Sequence, residues 1–383
     1  MGTETRFLTY QTVARYEAAL ARHAQYCRWV KVYTCPCVNE NTNQPDVNCS
    51  ICKGRGEIYK KPGPFKIIDE AVVHDNKGRV YLTHENYIEG SVVLWRTITG
   101  GSHEIVELDP TQPSDKSYIQ LASPWLKNYE RLYANYEFTN NINITNGTGS
   151  LVRSDILTIV PDDVIVNFKG KTYYGDITEI TRVYNKTKDE TYTVSSYSKQ
   201  YIFIKTPSIT PEITDEFEID FSYQSPYSFV LHSVSAKLRF EAAYVIDQAD
   251  AILQTPYYYN VKPADLITAL SMEVPGTIII NPNVTGDEEN DFINNVFDVC
   301  RITGIINAYG QEYDISSDVM LIGRNEIKWI TTKPTANYTV QFMYNPTFVG
   351  LITYDTTRAS ENKSFVNRLN VMMRDRLTKE ITF

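Results

Sequence analysis

Four cysteines lie within eighteen residues, as Cys35-Pro36-Cys37 and Cys49-Ser50-Ile51-Cys52. The second pair runs into Lys53-Gly54-Arg55-Gly56, giving C-x-x-C-x-G-x-G. Thiolates from two tight clusters can meet at one tetrahedral metal, about 2.3 Å from a zinc ion. Backbone N–H groups in the turn after such a pair can point back at the sulfurs, and Gly accepts the dihedrals of the turn. The linker 38–48 is rich in Asn, with Thr, Pro and Asp, as a closed polar loop should be. These residues point to a structural zinc held by Cys35, Cys37, Cys49 and Cys52. Disulfides and free thiols are the alternatives, and Cys27 can stand in for one member of the C-x-C pair. A thioredoxin-type pair should open a helix, whereas Glu57-Ile58-Tyr59 reads as a strand. A catalytic zinc keeps an open position and usually recruits His or carboxylate, so four cysteines argue for a closed site. Cys300, between Phe297 and Ile302, reads as a core residue of a strand.

The rest of the chain offers little chemistry. It has no phosphate-binding G-x-x-x-x-G-K-[ST], no H-E-x-x-H and no G-x-S-x-G. None of the five histidines forms a short ligand pair. His74 and His84 flank the turn signal Asn76-Lys77-Gly78 and read as surface residues. The run Asp287-Glu288-Glu289-Asn290-Asp291 lacks the spacing of a calcium loop and reads as a solvated loop. The expectation is a protein that is not an enzyme. A net charge of −9 leaves no basic excess for phosphates, so no specific nucleic-acid binding is expected. No run of eighteen apolar residues suggests a membrane span. The first residues lack a signal-peptide core, which implies synthesis in a reducing cytoplasm, where cysteines favour metal over disulfide.

These side chains need elements to position them. Val13, Tyr16, Leu20, His23 and Cys27 fall at helical spacing and predict a helix over residues 8–27. Lys61-Pro62-Gly63-Pro64 marks a boundary. Beyond it come short alternating runs that read as antiparallel strands. Two stretches share one order of strands. The first contains Ile180, Tyr192, Ile202–Ile204 and Phe217-Glu218-Ile219-Asp220-Phe221-Ser222-Tyr223. The second contains Ile302, Tyr313, Ile327–Ile330 and Tyr338-Thr339-Val340-Gln341-Phe342-Met343-Tyr344. A third, weaker copy lies earlier, around Trp95, Ile105, Tyr118 and Tyr133–Phe138. Residues 155–226 and 275–346 are therefore expected to form related modules, with Phe221 and Phe342 equivalent. Asn140–Gly149 reads as an exposed loop. The expected fold is mainly β, with an N-terminal helix and zinc-stapled loop (1–64) and tandem antiparallel, sandwich-like β-modules (65–150, 151–262, 263–383), the last carrying a C-terminal arm. Twenty-eight tyrosines suit strands and protein interfaces.

The cysteine segment resembles the N-terminal part of virion proteins of tailed bacteriophages. The matching residues are Cys35, Cys37, Gln44-Pro45-Asp46, Cys49, Cys52, Gly54 and Gly56, followed by Ile58-Tyr59. The ending Tyr338–Pro346 is similar to β-module strands of such proteins. The resemblance implies a structural protein of the neck or head–tail connector, assembled in the host cytoplasm into the virion. It implies virion proteins as partners and a homo-oligomer, with no membrane association. The alternative is a tail, baseplate or fibre protein that binds host carbohydrate, with Trp95, Trp125 or Trp329 as a sugar platform.

Overall fold

The computed structural model describes residues 22–374, apart from 123–130, 154–157, 162–176, 198–201, 205–208, 234–249, 283–289, 356–365 and several shorter stretches. The fold is mainly β, built from antiparallel sheets. Helical conformation is limited to isolated positions among the described residues, and no helix there is long and apolar enough to cross a membrane.

At the centre is a closed barrel of six antiparallel strands. In spatial order they are Gln25–Thr34, Tyr227–Ser233, Ala251–Pro256, Val366–Met373, Thr347–Asp355 and Leu266–Ala269. Gln25–Thr34 closes the ring by pairing with two strands. Cys27 faces Tyr227 on one side and Ala269 on the other. Alternation puts every second side chain inside, and a barrel this small is filled by them. Cys27, Trp29, Phe229, Leu253, Ile267, Ala269 and Val371 are completely buried.

Arg22 and His23 are helical, but the helix expected over residues 8–27 does not extend to Cys27. Residues 1–21 lie outside the described residues, and Gln25 already opens a strand. The physical reason is that Cys27 and Trp29 point inward two apart while Arg28 lies between them. That is a strand period, and the flanking Tyr26, Val30, Val32 and Tyr33 are strand formers.

Three β-modules interrupt the barrel. Two lie between its first and second strands, at residues 65–138 and 141–224. The third, 274–345, lies between Leu266–Ala269 and Thr347–Asp355. All three place their last strand between two earlier ones. Leu132–Phe138 sits between Phe65–His74 and Val93–Thr97. Phe217–Gln224 sits between Asn141–Arg153 and Ile177–Asn185. Tyr338–Asn345 sits between Val274–Ile280 and Asp298–Asn307. In each module a second set of short strands covers the same core. The barrel thus draws strands from three of the four segments into which the sequence was divided.

The ladders of the second and third modules match position by position. Tyr223, Phe221, Ile219 and Phe217 face Ile177, Ile180, Val183 and Asn185. Tyr344, Phe342, Val340 and Tyr338 face Val299, Ile302, Ile305 and Asn307. Both partner strands bulge at the same two places, after Ile177 and Ile180, and after Val299 and Ile302. Asn185 and Asn307 end their strands alike, each side-chain oxygen accepting two backbone N–H bonds from the turn that follows. Phe221 and Phe342 are buried at equivalent points, as the shared sequence order predicted.

Three local expectations fail. Asn141–Arg153 is the first strand of the second module, not a loop, so that module starts before residue 155. Its Asn-rich sequence hides Ile142 and Ile144, which pack on the core. The acidic run ends in the interior. Asp287 to Glu289 lie outside the described residues, but the Asp291 carboxylate is fully buried. It is paired with Lys333 at 2.8 Å and accepts bonds from Tyr338 Oη and Trp329 Nε1. His84 is also no free surface residue: its ring stacks on Phe138 at 3.8 Å, and burial lowers its pKa to about 4.

Phe221 and Phe342 each lie over a glycine. A Cβ on Gly147 would stand 2.8 Å from Phe221 Cε1, and one on Gly276 would stand 2.6 Å from Phe342 Cε2. Gly276→Ala should therefore destabilise the third module by about 1–3 kcal/mol through overpacking. Adding Phe342→Leu should recover part of that loss, because the two changes share one space. Chemical denaturation of the four proteins of this cycle checks it; strict additivity would refute the shared contact.

Candidate metal centre

The far half of Gln25–Thr34 leaves the barrel and pairs with Glu57–Lys60, from Lys31 opposite Lys60 to Thr34 opposite Glu57. The cysteine loop is the tip of this hairpin. Cys35 N donates to Gly56 O at 2.7 Å, so the ladder closes directly at the first cysteine. Inside the loop, Val38 N bonds Cys35 O, Asn39 N bonds Gln44 O, and Cys49 N bonds Asp46 O. Asp46 Oδ1 accepts Asn48 N at 2.9 Å, which sets the turn that delivers Cys49. Gly54 has φ +81°, and a Cβ there would stand 3.0 Å from Val47 O. The turn needs glycine both for its dihedral and for its close approach.

The four sulfurs of Cys35, Cys37, Cys49 and Cys52 all lie within 4.8 Å of one another. Cys35 Sγ is 3.7 Å from Cys49 Sγ, and Cys37 Sγ is 3.4 Å from Cys52 Sγ. Four sulfurs about 2.3 Å from one central ion would stand about 3.8 Å apart. The cluster thus has the size of a tetrahedral metal cage, and all four cysteines are free thiols rather than disulfides. Among the described residues it is the one grouping of His, Cys, Asp or Glu that can hold a metal ion. Cys27 is not part of it; it is sealed in the barrel, where burial pushes its thiol up to about 12. Cys300 is a half-buried strand residue of the third module.

The thiols are unequal before any metal binds. Burial, reinforced by the three neighbouring thiols, pushes Cys37 up to about 12. Burial also works against the Cys52 thiolate, but the Gly56 amide and the other three thiols outweigh it and hold Cys52 down to about 6. Cys52 is thus the sulfur of the four most inclined to hold negative charge. The others must still lose protons on binding.

The tryptophans suggested for a sugar platform are divided. Trp329 is buried and bonded to Asp291. Trp125 lies outside the described residues. Trp95 is half-buried on the outer face of the first module, stacked on Tyr133 at 4.4 Å.

No family model matches this chain, and comparison with curated proteins gives no match. The cysteine geometry therefore carries the functional reading. Spacing in the sequence was enough to find the four cysteines that cluster. It could not show that they cap a hairpin growing from the central barrel, because the strands that hold this hairpin lie far away in the chain.

Protein made in a reducing cytoplasm should carry one metal ion per chain, by elemental analysis. Affinity should fall at least about tenfold per pH unit on going from pH 7.5 to 5, since protons compete for thiols that must be ionised. Cys49→Ser with Cys52→Ser should abolish binding and speed hydrogen exchange across residues 35–56, leaving the modules protected. Unmodified protein without bound metal would refute the centre.

Proposed function

We propose that this chain is a non-catalytic structural component of a tailed-phage virion, placed in the neck or head–tail connector. It acts by protein–protein contacts with itself and with neighbouring virion proteins, and its hairpin is stapled by zinc. The observation that carries this reading is the architecture: one barrel interrupted by three β-modules, two of them matching in register, with a cysteine-capped hairpin at its side. Such a chain offers broad, stiff surfaces. The resemblance of Cys35 to Tyr59 to phage virion proteins supports the same reading. So does the lack of sequence motifs for a nucleophile, a phosphate loop or a catalytic metal.

Zinc is the proposed ion because four thiolates at tetrahedral spacing suit zinc or iron. A colourless protein with one zinc per chain fits the proposal, and the absorption of an iron–thiolate centre would not.

One observation favours a second reading, a tail or baseplate protein that binds host carbohydrate. Trp95 and Tyr133 form a stacked aromatic surface on the first module, beside Asn135 on the same face. An aromatic platform next to an amide is a common way to hold a sugar ring.

A phage lacking this gene should produce heads and tails that fail to join, and antibody against the chain should label the neck of complete particles. Mutant particles that look complete but do not adsorb to cells would instead establish the host-binding reading.

A further inference from the structure

We propose that Lys333 and Asp291 become joined by an amide bond within the folded third module, with Tyr338 and Trp329 holding the oxygen that carries charge as the bond forms. The inference goes beyond the assembly reading and does not depend on it. Lys333 Nζ lies 2.8 Å from Asp291 Oδ1; the Asp291 side chain is completely buried and that of Lys333 is 14% exposed. Cγ stands one bond beyond Oδ1, so a short shift brings Nζ to the separation of about 3–3.5 Å at which held groups react. The other carboxyl oxygen has its own partners. Tyr338 Oη donates to Asp291 Oδ2 at 2.5 Å, and Trp329 Nε1 donates to it at 3.1 Å. Burial and the bond to Asp291 raise the pKa of Tyr338, so its hydroxyl stays a donor. Two fixed donors on one oxygen of a buried carboxyl group have the form of an oxyanion hole.

The pair starts as ammonium and carboxylate. One proton passes from Nζ to Oδ1 across their contact, leaving an amine and a carboxylic acid. The Nζ lone pair then bonds to Cγ, and the carbonyl electron pair moves onto Oδ2, between Tyr338 Oη and Trp329 Nε1. Nζ gives a second proton to Oδ1, the carbonyl re-forms, and the Cγ–Oδ1 bond breaks to release water. Ammonium and carboxylate have become amide and water, with no oxidant, reductant or cofactor. The product has its partners in place. Its N–H faces Asn290 O, which Nζ already meets at 3.0 Å, and its oxygen keeps Tyr338 and Trp329. Two charges leave the interior, and with them the desolvation penalty of a buried ion pair. The second module is arranged differently. Lys188 stands 3.4 Å from Asp215, but Glu212 holds its Nζ closer, at 3.0 Å. Asp215 Oδ2 accepts from Asn185 Nδ2 and a backbone N–H rather than from a hydroxyl and an indole. No link is expected there.

The test is the mass of the full chain, unfolded and reduced after purification so that neither metal nor disulfide contributes. The wild type should be lighter than its sequence by one water. Trypsin should release a branched peptide in which the segment ending at Arg301 is joined to the segment beginning at Trp329, with fragmentation placing the branch at Asp291 and Lys333. Lys333→Arg keeps a cation beside Asp291 but offers no amine, and should show its full sequence mass. Tyr338→Phe keeps the buried ring. Followed by mass after a pulse of synthesis, it should link at least about tenfold more slowly, as loss of one such donor does, and hydrogen exchange shows whether the module has folded. A wild type of full mass with no branched peptide leaves a plain ion pair and overturns the inference, whatever the variants do. A loss of water that persists in Lys333→Arg, or a branch at other residues, overturns it too. Folded Tyr338→Phe protein that links at the wild-type rate overturns the part given to Tyr338. None of these masses bears on where the chain sits in particles, which the gene deletion decides separately.

Discussion

The indole N–H of Trp29 donates to the buried carboxylate of Asp265 at 3.0 Å, and the rest of the architecture is organised around that bond. Asp265 also accepts Val32 N at 3.2 Å and Lys262 N at 2.9 Å, so its charge is met by donors on both sides. A buried carboxylate is tolerated only when hydrogen bonds replace its lost water. Rings of Phe65, Tyr227, Phe229 and Tyr259 surround Trp29 at centroid distances of 5.4–6.0 Å. This one side chain touches the barrel, the start of the first module and the approach to Leu266–Ala269. The strand that carries it continues without a break into the cysteine hairpin, so the position of the cysteine loop is set from the barrel interior.

The modules differ in how they depend on that point. The second and third have cores of their own. The core of the first is continuous with the barrel through Phe65, Phe138 and Tyr259. The third is pinned from outside its core. Arg28 of the barrel reaches Asp298 at 3.1 Å, Arg324 approaches the same carboxylate, and Asn345 Nδ2 donates to Leu270 O and Met272 O. One strand pattern thus serves two situations, fused to a neighbour or folded on itself and clipped in place.

How much of this was legible in the sequence depended on distance along the chain. The candidate ligands Cys35, Cys37, Cys49 and Cys52 are close in sequence, and chemistry alone restricts what such a group can do. The kinship of the second and third modules was legible because alternation survives in Phe217–Gln224 and Tyr338–Asn345. The barrel was not legible, because Cys27 meets Tyr227 and Ala269 across about two hundred residues and no local pattern encodes that pairing. The expected helix stops short of Cys27 for a related reason. Over a few residues, apolar positions can satisfy a helical and a strand period together, and the tertiary partner decides. Asp291 shows the converse error, since a cluster of acids looks solvated until a Lys, a Tyr and a Trp from later strands close over its last member.

The interrupted barrel also dictates an order of events during synthesis. Asp265 is made 236 residues after Trp29, and the last two barrel strands come after the third module. At 5–20 residues per second, Trp29 waits roughly 10–50 s for its partner. The second module, whose core needs nothing from the barrel, can fold in that interval, and the barrel can only be the final act. Every nascent chain therefore exposes the inner face of Gln25–Thr34 until the later barrel strands are made, and of the six barrel strands the first to be made is the last to be protected.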